Sequence, residues 1–287
     1  MPEGLVTLLE ANRPTVTTST GTQFLCYLRG RVRRDAGRIM VGDRVEFEPT
    51  ENNEAIITRI LPRGRQLIRP PVANIRGIFA CFSLTYPSGN LELLDKRLVL
   101  AALDGIEAEI VVTKVDLVND TERLHQLLSL YRSIGYRTWS LSVVDETGIA
   151  EWLSTPRDGI WVLTGESGVG KSSLIQRTIP HAAIETADLS RIGRGQQTTR
   201  WVRLLPIHNF WLADTPGYTA LEKEGADPRL IASAFWEWRN VRCRFPDCSH
   251  RTEPECQVVA GVSGGQFAQT RYDHYRLMLE QWAKRWN

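Results

Sequence analysis

No apolar run in the 287-residue chain is long enough to span a bilayer, which argues against a helical membrane protein. Residues 1–17 carry Glu3 and Glu10 and show neither a basic start nor an apolar stretch, so no secretory leader is read and a cytoplasmic location is expected. Internal repeats and low-complexity tracts are missing too, which removes the solenoid and disordered-tail classes. Cysteine is scarce and odd in number, five in all. In a reducing compartment the crowding of three of them at Cys243, Cys248 and Cys256 points to a metal rather than disulfides, and Cys26 and Cys81 read as core.

A strong charge of one sign is also missing, since the net charge is +2. Its distribution is uneven: residues 1–70 carry +3, 71–225 carry −3 and 226–287 carry +2. Basic ends around an acidic middle suit docking onto a polyanion such as RNA, although a pair of solvated faces gives the same composition.

What is present divides into three segments. Residues 1–66 hold short stretches at 23–28, 38–40, 44–48 and 55–60, punctuated by Gly30, Gly37, Gly42-Asp43 and Glu51-Asn52-Asn53, the spacing of a small OB-type β-barrel. Arg29, Arg31, Arg33 and Arg34 crowd one of its connections, where an oligonucleotide could be held. Residues 67–225 alternate buried strands at 75–83, 109–113 and 159–164 with helices at 91–103 and from a cap at Asn119 or Asp120 to Gly135, which predicts a mostly parallel α/β sheet. Residues 226–287 read as a helix bearing Phe235, Trp236 and Trp238, a Cys/His cluster, and a polar and aromatic helix at 266–286.

The strongest motif is Gly165-Glu166-Ser167-Gly168-Val169-Gly170-Lys171-Ser172, with a strand before it and a helix after it. Its glycines let backbone N–H groups turn inward around phosphate, and the following helix adds its N-terminal dipole. Lys171 is placed to reach the β- and γ-phosphates; Ser172 is placed to ligate Mg²⁺, with Asp214 as a supporting carboxylate at the end of the 210–213 strand. Thr113-Lys114-Val115-Asp116 ends a buried strand, where Asp116 can accept from the guanine ring N–H and exocyclic amine while Lys114 packs its stem along the pocket and Ser142 contributes backbone. The polar stretch Gly193-Arg194-Gly195-Gln196-Gln197-Thr198-Thr199-Arg200 lies where a switch sensing the γ-phosphate belongs, and Asp214-Thr215-Pro216-Gly217 follows. Tyr218 replaces the Gln that orients water in many GTPases, so Gln197 and Thr198, with Lys171, are the catalytic candidates. Finally, Cys243-x4-Cys248-x-His250-x5-Cys256 offers four soft ligands suited to one structural, tetrahedral zinc ion.

An ordinary small GTPase runs phosphate loop, switches, base element; here the base element comes first, which is the order of a circular permutation. With these motifs in this order, the chain resembles the ribosome small subunit-dependent GTPase A family over nearly its whole length. The resemblance implies a multi-domain α/β protein: an OB-fold RNA-binding domain at 1–66, a circularly permuted P-loop GTPase domain at 67–225 and a helical zinc-binding domain at 226–287. It also implies GTP hydrolysis in late maturation of the small ribosomal subunit, stimulated by that subunit, with the subunit's rRNA as partner, no membrane, and a monomeric chain. Carried over by motif, Thr113, Lys114 and Asp116 match base recognition, residues 165–173 including Ser173 match the phosphate loop, and Cys243, Cys248, His250 and Cys256 match the zinc ligands. Thr113 stands where the family has Asn, Gln197 where it usually has His, and Arg200 where it has Thr. Rival readings are an RNA-binding assembly factor for which GTP is a non-hydrolysed conformational ligand, and an ATP-dependent kinase.

Overall fold

The chain begins with an antiparallel hairpin, β1 (Glu3–Glu10) and β2 (Arg13–Thr17), that its short apolar alternation does not announce. In this computed structural model the described residues are 1–10, 13–30, 32, 38–67, 71–179, 202–214 and 226–282. The hairpin joins β3 (Gln23–Leu28), β4 (Arg44–Pro49) and β5 (Glu54–Ile60) in the order β1-β2-β3-β5-β4, and β4 pairs back onto β1, with Leu5 opposite Arg44. The result is the expected barrel, closed, with five strands. Closure satisfies every edge, and alternation sends Val6, Val16, Cys26, Val45, Phe47, Ala55 and Ile57 into an interior from which solvent is absent. Cys26 is core, as its sequence context suggests, and burial pushes its thiol up to about 11. Residues 38–40, read as a strand, form none. The buried Asp43 carboxylate instead accepts from the Met40 N–H at 2.8 Å and from Arg63, which turns the backbone there.

Beyond the barrel come two-residue strands β6 (Gln66–Leu67) and β7 (Val72–Ala73), then β8 (Ile75–Ser83), α1 (Leu91–Leu103), β9 (Glu107–Thr113), α2 (Thr121–Ile134) and β10 (Arg137–Leu141). These are followed by α3 (Ile149–Ser154), β11 (Ile160–Thr164), α4 (Lys171–Thr178), β12 (Arg203–Ile207), β13 (Phe210–Asp214), α5 (Pro228–Ser233), α6 (Gln257–Ser263) and α7 (Gln269–Trp282). The helix starts have the expected chemistry. Asn90 caps α1 by accepting from the Glu92 N–H at 2.8 Å, Asp120 caps α2 by accepting from the Arg123 N–H at 2.9 Å, and Gly135, at φ 111°, ends α2 in a conformation that favours glycine.

Contacts group the chain into two compact units, residues 1–79 with 148–219 and residues 80–147 with 220–287. The first holds the barrel and the order β11-β13-β12, which continues into β1 through the pair Leu8 and Arg203. Its core contains a buried cation: Arg157 lies over the Phe79 ring at 5.1 Å, is flanked by Trp152, Trp161 and Phe210, and donates to the Trp152 carbonyl. The second unit holds β10, β9 and the end of β8 from Ala80 to Ser83, with β9 and β10 parallel, packed on α1 and α2 through Leu94, Leu98, Ile110, Val112, Leu128 and Tyr131.

The C-terminal segment departs from its expected helices. The first helix stops at Ser233, so Phe235, Trp236 and Trp238 follow it in a turn-rich stretch rather than lying on it. Tight packing accounts for this: Phe235 stacks on Trp238 at 4.9 Å, and both rings meet Tyr275 of α7 edge-on. Helix α6 was not anticipated, and α7 begins three residues later than expected.

Candidate functional site: nucleotide loops and a metal knuckle

The phosphate loop bridges β11 and α4 within the first unit. Gly165, Gly168 and Gly170 all have positive φ, at 151°, 77° and 101°, so the loop turns its backbone through conformations that disfavour side chains. Glu166, Ser167, Gly168 and Val169 form the bend, Val169 is buried beneath it, and Gly170 stands at the N-terminus of α4, its carbonyl accepting from the Leu174 N–H at 2.9 Å. Lys171 is the first residue of α4. Its ammonium donates to the carbonyls of Gly165 and Glu166, both at 2.8 Å, which holds the charge over the loop where a phosphate would meet it. Ser172 and Ser173 are exposed on the first turn of the helix. Asp214 ends β13, half-buried; burial raises its carboxyl above the usual carboxylate range, against the pull of Arg203 at 3.6 Å. Gln197, Thr198 and Gly217, together with the rest of the switch stretch, lie outside the described residues.

The base element closes β9 within the second unit. Thr113 is buried and its hydroxyl donates to the Phe82 carbonyl at 3.1 Å, which pins the end of β9 to β8. Lys114 takes a left-handed backbone, φ 57°, and its ammonium donates to the Tyr86 carbonyl at 3.2 Å. Asp116 then sits exposed in a single 3-10 turn spanning Val115–Leu117. Ser142 follows β10 and is buried. Its N–H donates to the Thr147 carbonyl and its hydroxyl accepts from the Val144 N–H at 3.1 Å, making a closed loop at the end of the neighbouring strand. All of these groups lie at the carboxyl ends of their strands, the edge at which open α/β sheets hold ligands.

The third constellation is compact. Cys243, Cys248, His250 and Cys256 place one donor atom each within 4.8 Å of one another. The Cys243 and Cys256 sulfurs are 3.9 Å apart, and each lies 3.5 Å from His250 Nδ1. Tetrahedral zinc with Zn–S of about 2.3 Å and Zn–N of about 2.0 Å requires S–S edges of about 3.8 Å and S–N edges of about 3.5 Å. The group therefore fits zinc and could hold it through Nδ1. Burial lowers the basicity of His250, which favours the neutral, ligating imidazole.

Sequence reading missed what shapes this knuckle. Glu253 accepts from the Ser249 N–H and hydroxyl, both at 2.6 Å, and from the N–H groups of Arg251 and Thr252. Burial opposes its ionisation, yet these hydrogen bonds hold its carboxyl down to about 2. From α7, Tyr272 and Tyr275 donate their hydroxyls to the His250 and Ser249 carbonyls. The helical spacing of Tyr272, Tyr275, Leu279 and Trp282 was a legible signal for that buried face.

Two family descriptions match the chain: the RsgA N-terminal domain over residues 15–57 and the RsgA GTPase over residues 60–224. The chain belongs to the RsgA GTPase family. Among its relatives is a small ribosomal subunit biogenesis GTPase RsgA from Geobacillus sp. (strain WCH70), 38% identical over 268 residues and covering 92% of each chain. Another, of the same name, from Halalkalibacterium halodurans, is 34% identical over 286 residues, covering 98% of this chain and 97% of its own. The crystal structure of YjeQ from Thermotoga maritima superposes with TM-score 0.83 at 32% identity, covering 97% of both chains. YloQ, described as a circularly permuted GTPase, gives TM-score 0.83 at 31% identity, covering 98% of this chain and 94% of its own. As a member of this family the chain is a GTP hydrolase, and the placement of Thr113-Lys114-Val115-Asp116 ahead of the phosphate loop is the family's permuted order. Among the described residues no helix is long and apolar enough to cross a membrane.

Cys256→Ser should reduce zinc, measured by metal analysis of the purified protein, from about one equivalent to well below half, and should loosen the C-terminal segment while GTP binding persists. Full zinc occupancy in that variant would remove Cys256 from the ligand set.

Proposed function

We propose that this chain binds the small ribosomal subunit and hydrolyses GTP during the subunit's late maturation, with the subunit accelerating turnover. The observation that carries the proposal is the phosphate loop with Lys171 held over it, in a chain whose relatives bear the name small ribosomal subunit biogenesis GTPase. Residues 1–66 are assigned to RNA contact, 67–225 to nucleotide chemistry and 226–287 to a zinc-stabilised module, in a cytoplasmic, monomeric protein. Loop amides of residues 165–173 and Lys171 bind the phosphates. Ser172, supported by Asp214 and Gly217, would hold Mg²⁺ with GTP, an ion that would supply charge neutralisation at the phosphates. Lys114 and Asp116 select guanine, Ser142 supports the base-side loop, and Thr113 fixes the strand end that presents them.

Gln197 is assigned the water-positioning role. Its amide can accept from the attacking water and donate to a γ-phosphate oxygen, but it carries no titratable proton, so it orients the nucleophile without acting as a base. Thr198 is assigned to the Mg²⁺ side of the switch. Slow turnover alone and fast turnover with subunits are expected, because the residue after Asp214-Thr215-Pro216-Gly217 is Tyr218 rather than Gln.

Phosphate release from GTP and ATP, with and without isolated small subunits, tests the reading: GTP turnover should rise with subunits and ATP turnover should not. GTP that binds but is not hydrolysed under any condition would leave the nucleotide as a conformational ligand only. In single-turnover assays with saturating subunits, Gln197→Ala should slow hydrolysis by at least about tenfold, roughly 1.4 kcal/mol, at nearly unchanged GTP affinity. A rate equal to the parent's would return Gln197 to an ordinary loop role. Asp116→Asn should weaken GTP binding and improve xanthosine triphosphate binding, because the new amide complements the altered base edge; an unchanged guanine preference would refute the base assignment.

A further inference from the structure

Beside the metal knuckle, wholly within the second unit, lies a cavity of about 400 Å³, a volume that suits one small ligand. Its charged walls are arginines: Arg229, Arg239 and Arg242 line it, and no carboxylate does. Arg229 lies 3.5 Å from Asp227, whereas Arg239 rests over the Trp236 ring at 5.6 Å and Arg242 has no ionic partner among the described residues. Both Arg239 and Arg242 are exposed.

The remaining walls combine apolar side chains with Ser233 and the knuckle's Cys243, Cys248 and His250. Phe245 and Pro246 stand at the surface, with Phe245 38% exposed although it is a large aromatic, and Arg244 sits 5.6 Å from its ring centroid. Trp238 also lines the cavity. Guanidinium groups that bind phosphate and a surface aromatic for stacking form the set that recognises one nucleotide of a single strand, with its base out of the stack.

We propose that this cavity receives one unstacked nucleotide of single-stranded RNA: Arg239 and Arg242 hold its phosphates, and Phe245 stacks on its base. The proposal rests on the ribosomal reading above and deepens it, since it makes the zinc-binding segment a direct reader of RNA. Zinc then acts as a positioning ion. Cys243, Cys248 and His250 form one wall of the cavity, so filling the knuckle fixes the span from residue 239 to residue 246.

The test uses the full-length, zinc-loaded protein and a fluorescein-labelled uridine octamer, with a hairpin duplex of equal length as control. The parent should bind the octamer more tightly than the duplex. Arg239→Ala/Arg242→Ala should weaken octamer binding by about tenfold or more and lower the slope of log K against log salt by about 1.4, the loss of two single-strand phosphate contacts. Phe245→Ala should weaken binding by about fivefold or more and leave that slope unchanged. An octamer carrying 4-thiouridine should photo-crosslink within residues 238–246. Equal affinity for octamer and duplex, unchanged affinity in both variants, or crosslinks confined to residues 1–66 would each overturn the proposal. The exposed variants should keep their zinc and the parent's GTP turnover without subunits. Subunit stimulation of the parent is read in the same preparations, so failure of the ribosomal reading shows there and failure of the cavity shows in the octamer arms.

Discussion

A buried ion network around Arg271 is the constraint on which the second unit depends. Arg271 and Asp95 are both only 1% exposed, and they join residues 176 positions apart. Burying such charges costs several kcal/mol each unless every donor and acceptor is engaged. Here they are well served: Asp95 accepts from Arg271, from the Tyr131 hydroxyl at 2.6 Å and from His274 at 2.6 Å, while Arg271 forks onto Glu237 at 2.7 and 3.0 Å. Burial and the neighbouring Asp95 keep the Tyr131 phenol protonated, as a donor to that carboxylate must be. Loss of Arg271 would strand the Asp95 and Glu237 carboxylates, so the network holds α1, α2, the post-helix turn and α7 in one arrangement.

This arrangement gives the permuted order its structural sense. Chain stretches 80–147 and 220–287 make one compact unit, so the base element on β9, the metal knuckle and the arginine-lined cavity belong to the same body. The segment that carries the Cys/His group packs a core of its own, with Phe235, Trp238, Val258, Tyr275, Met278 and Trp282 buried beside Glu253 and the four candidate ligands. A metal held by the four candidate ligands would add to that core, and Arg271 with its acidic partners ties the segment back to α1.

Much of this was legible in the sequence because local chemistry decides it. Asn90, Asp120 and Gly135 bound their helices as capping preferences require, and the glycines at 165, 168 and 170 announced a loop that turns through positive φ. The convergence of Cys243, Cys248, His250 and Cys256 was readable from their spacing. What escaped depends on distant partners. The hairpin of β1 and β2 gains its order from barrel closure through β4, which no local window shows. The aromatic stretch after Ser233 has helical composition, yet stacking of Phe235 on Trp238 and packing against Tyr275 override it. The pairing of Asp95 with Arg271 is of the same kind, since nothing in either segment reveals a partner 176 residues away.

Native-state hydrogen exchange on the parent protein and on Arg271→Met tests most directly whether this network makes one body of the second unit. In the parent, amides of α1 and α7 should open together, with a common dependence on denaturant. In Arg271→Met both helices should lose protection in step, exchanging roughly a hundredfold faster or more, because Asp95 and Glu237 are left buried without their cation. Loss of protection confined to α7, with α1 exchanging as in the parent, would contradict the account.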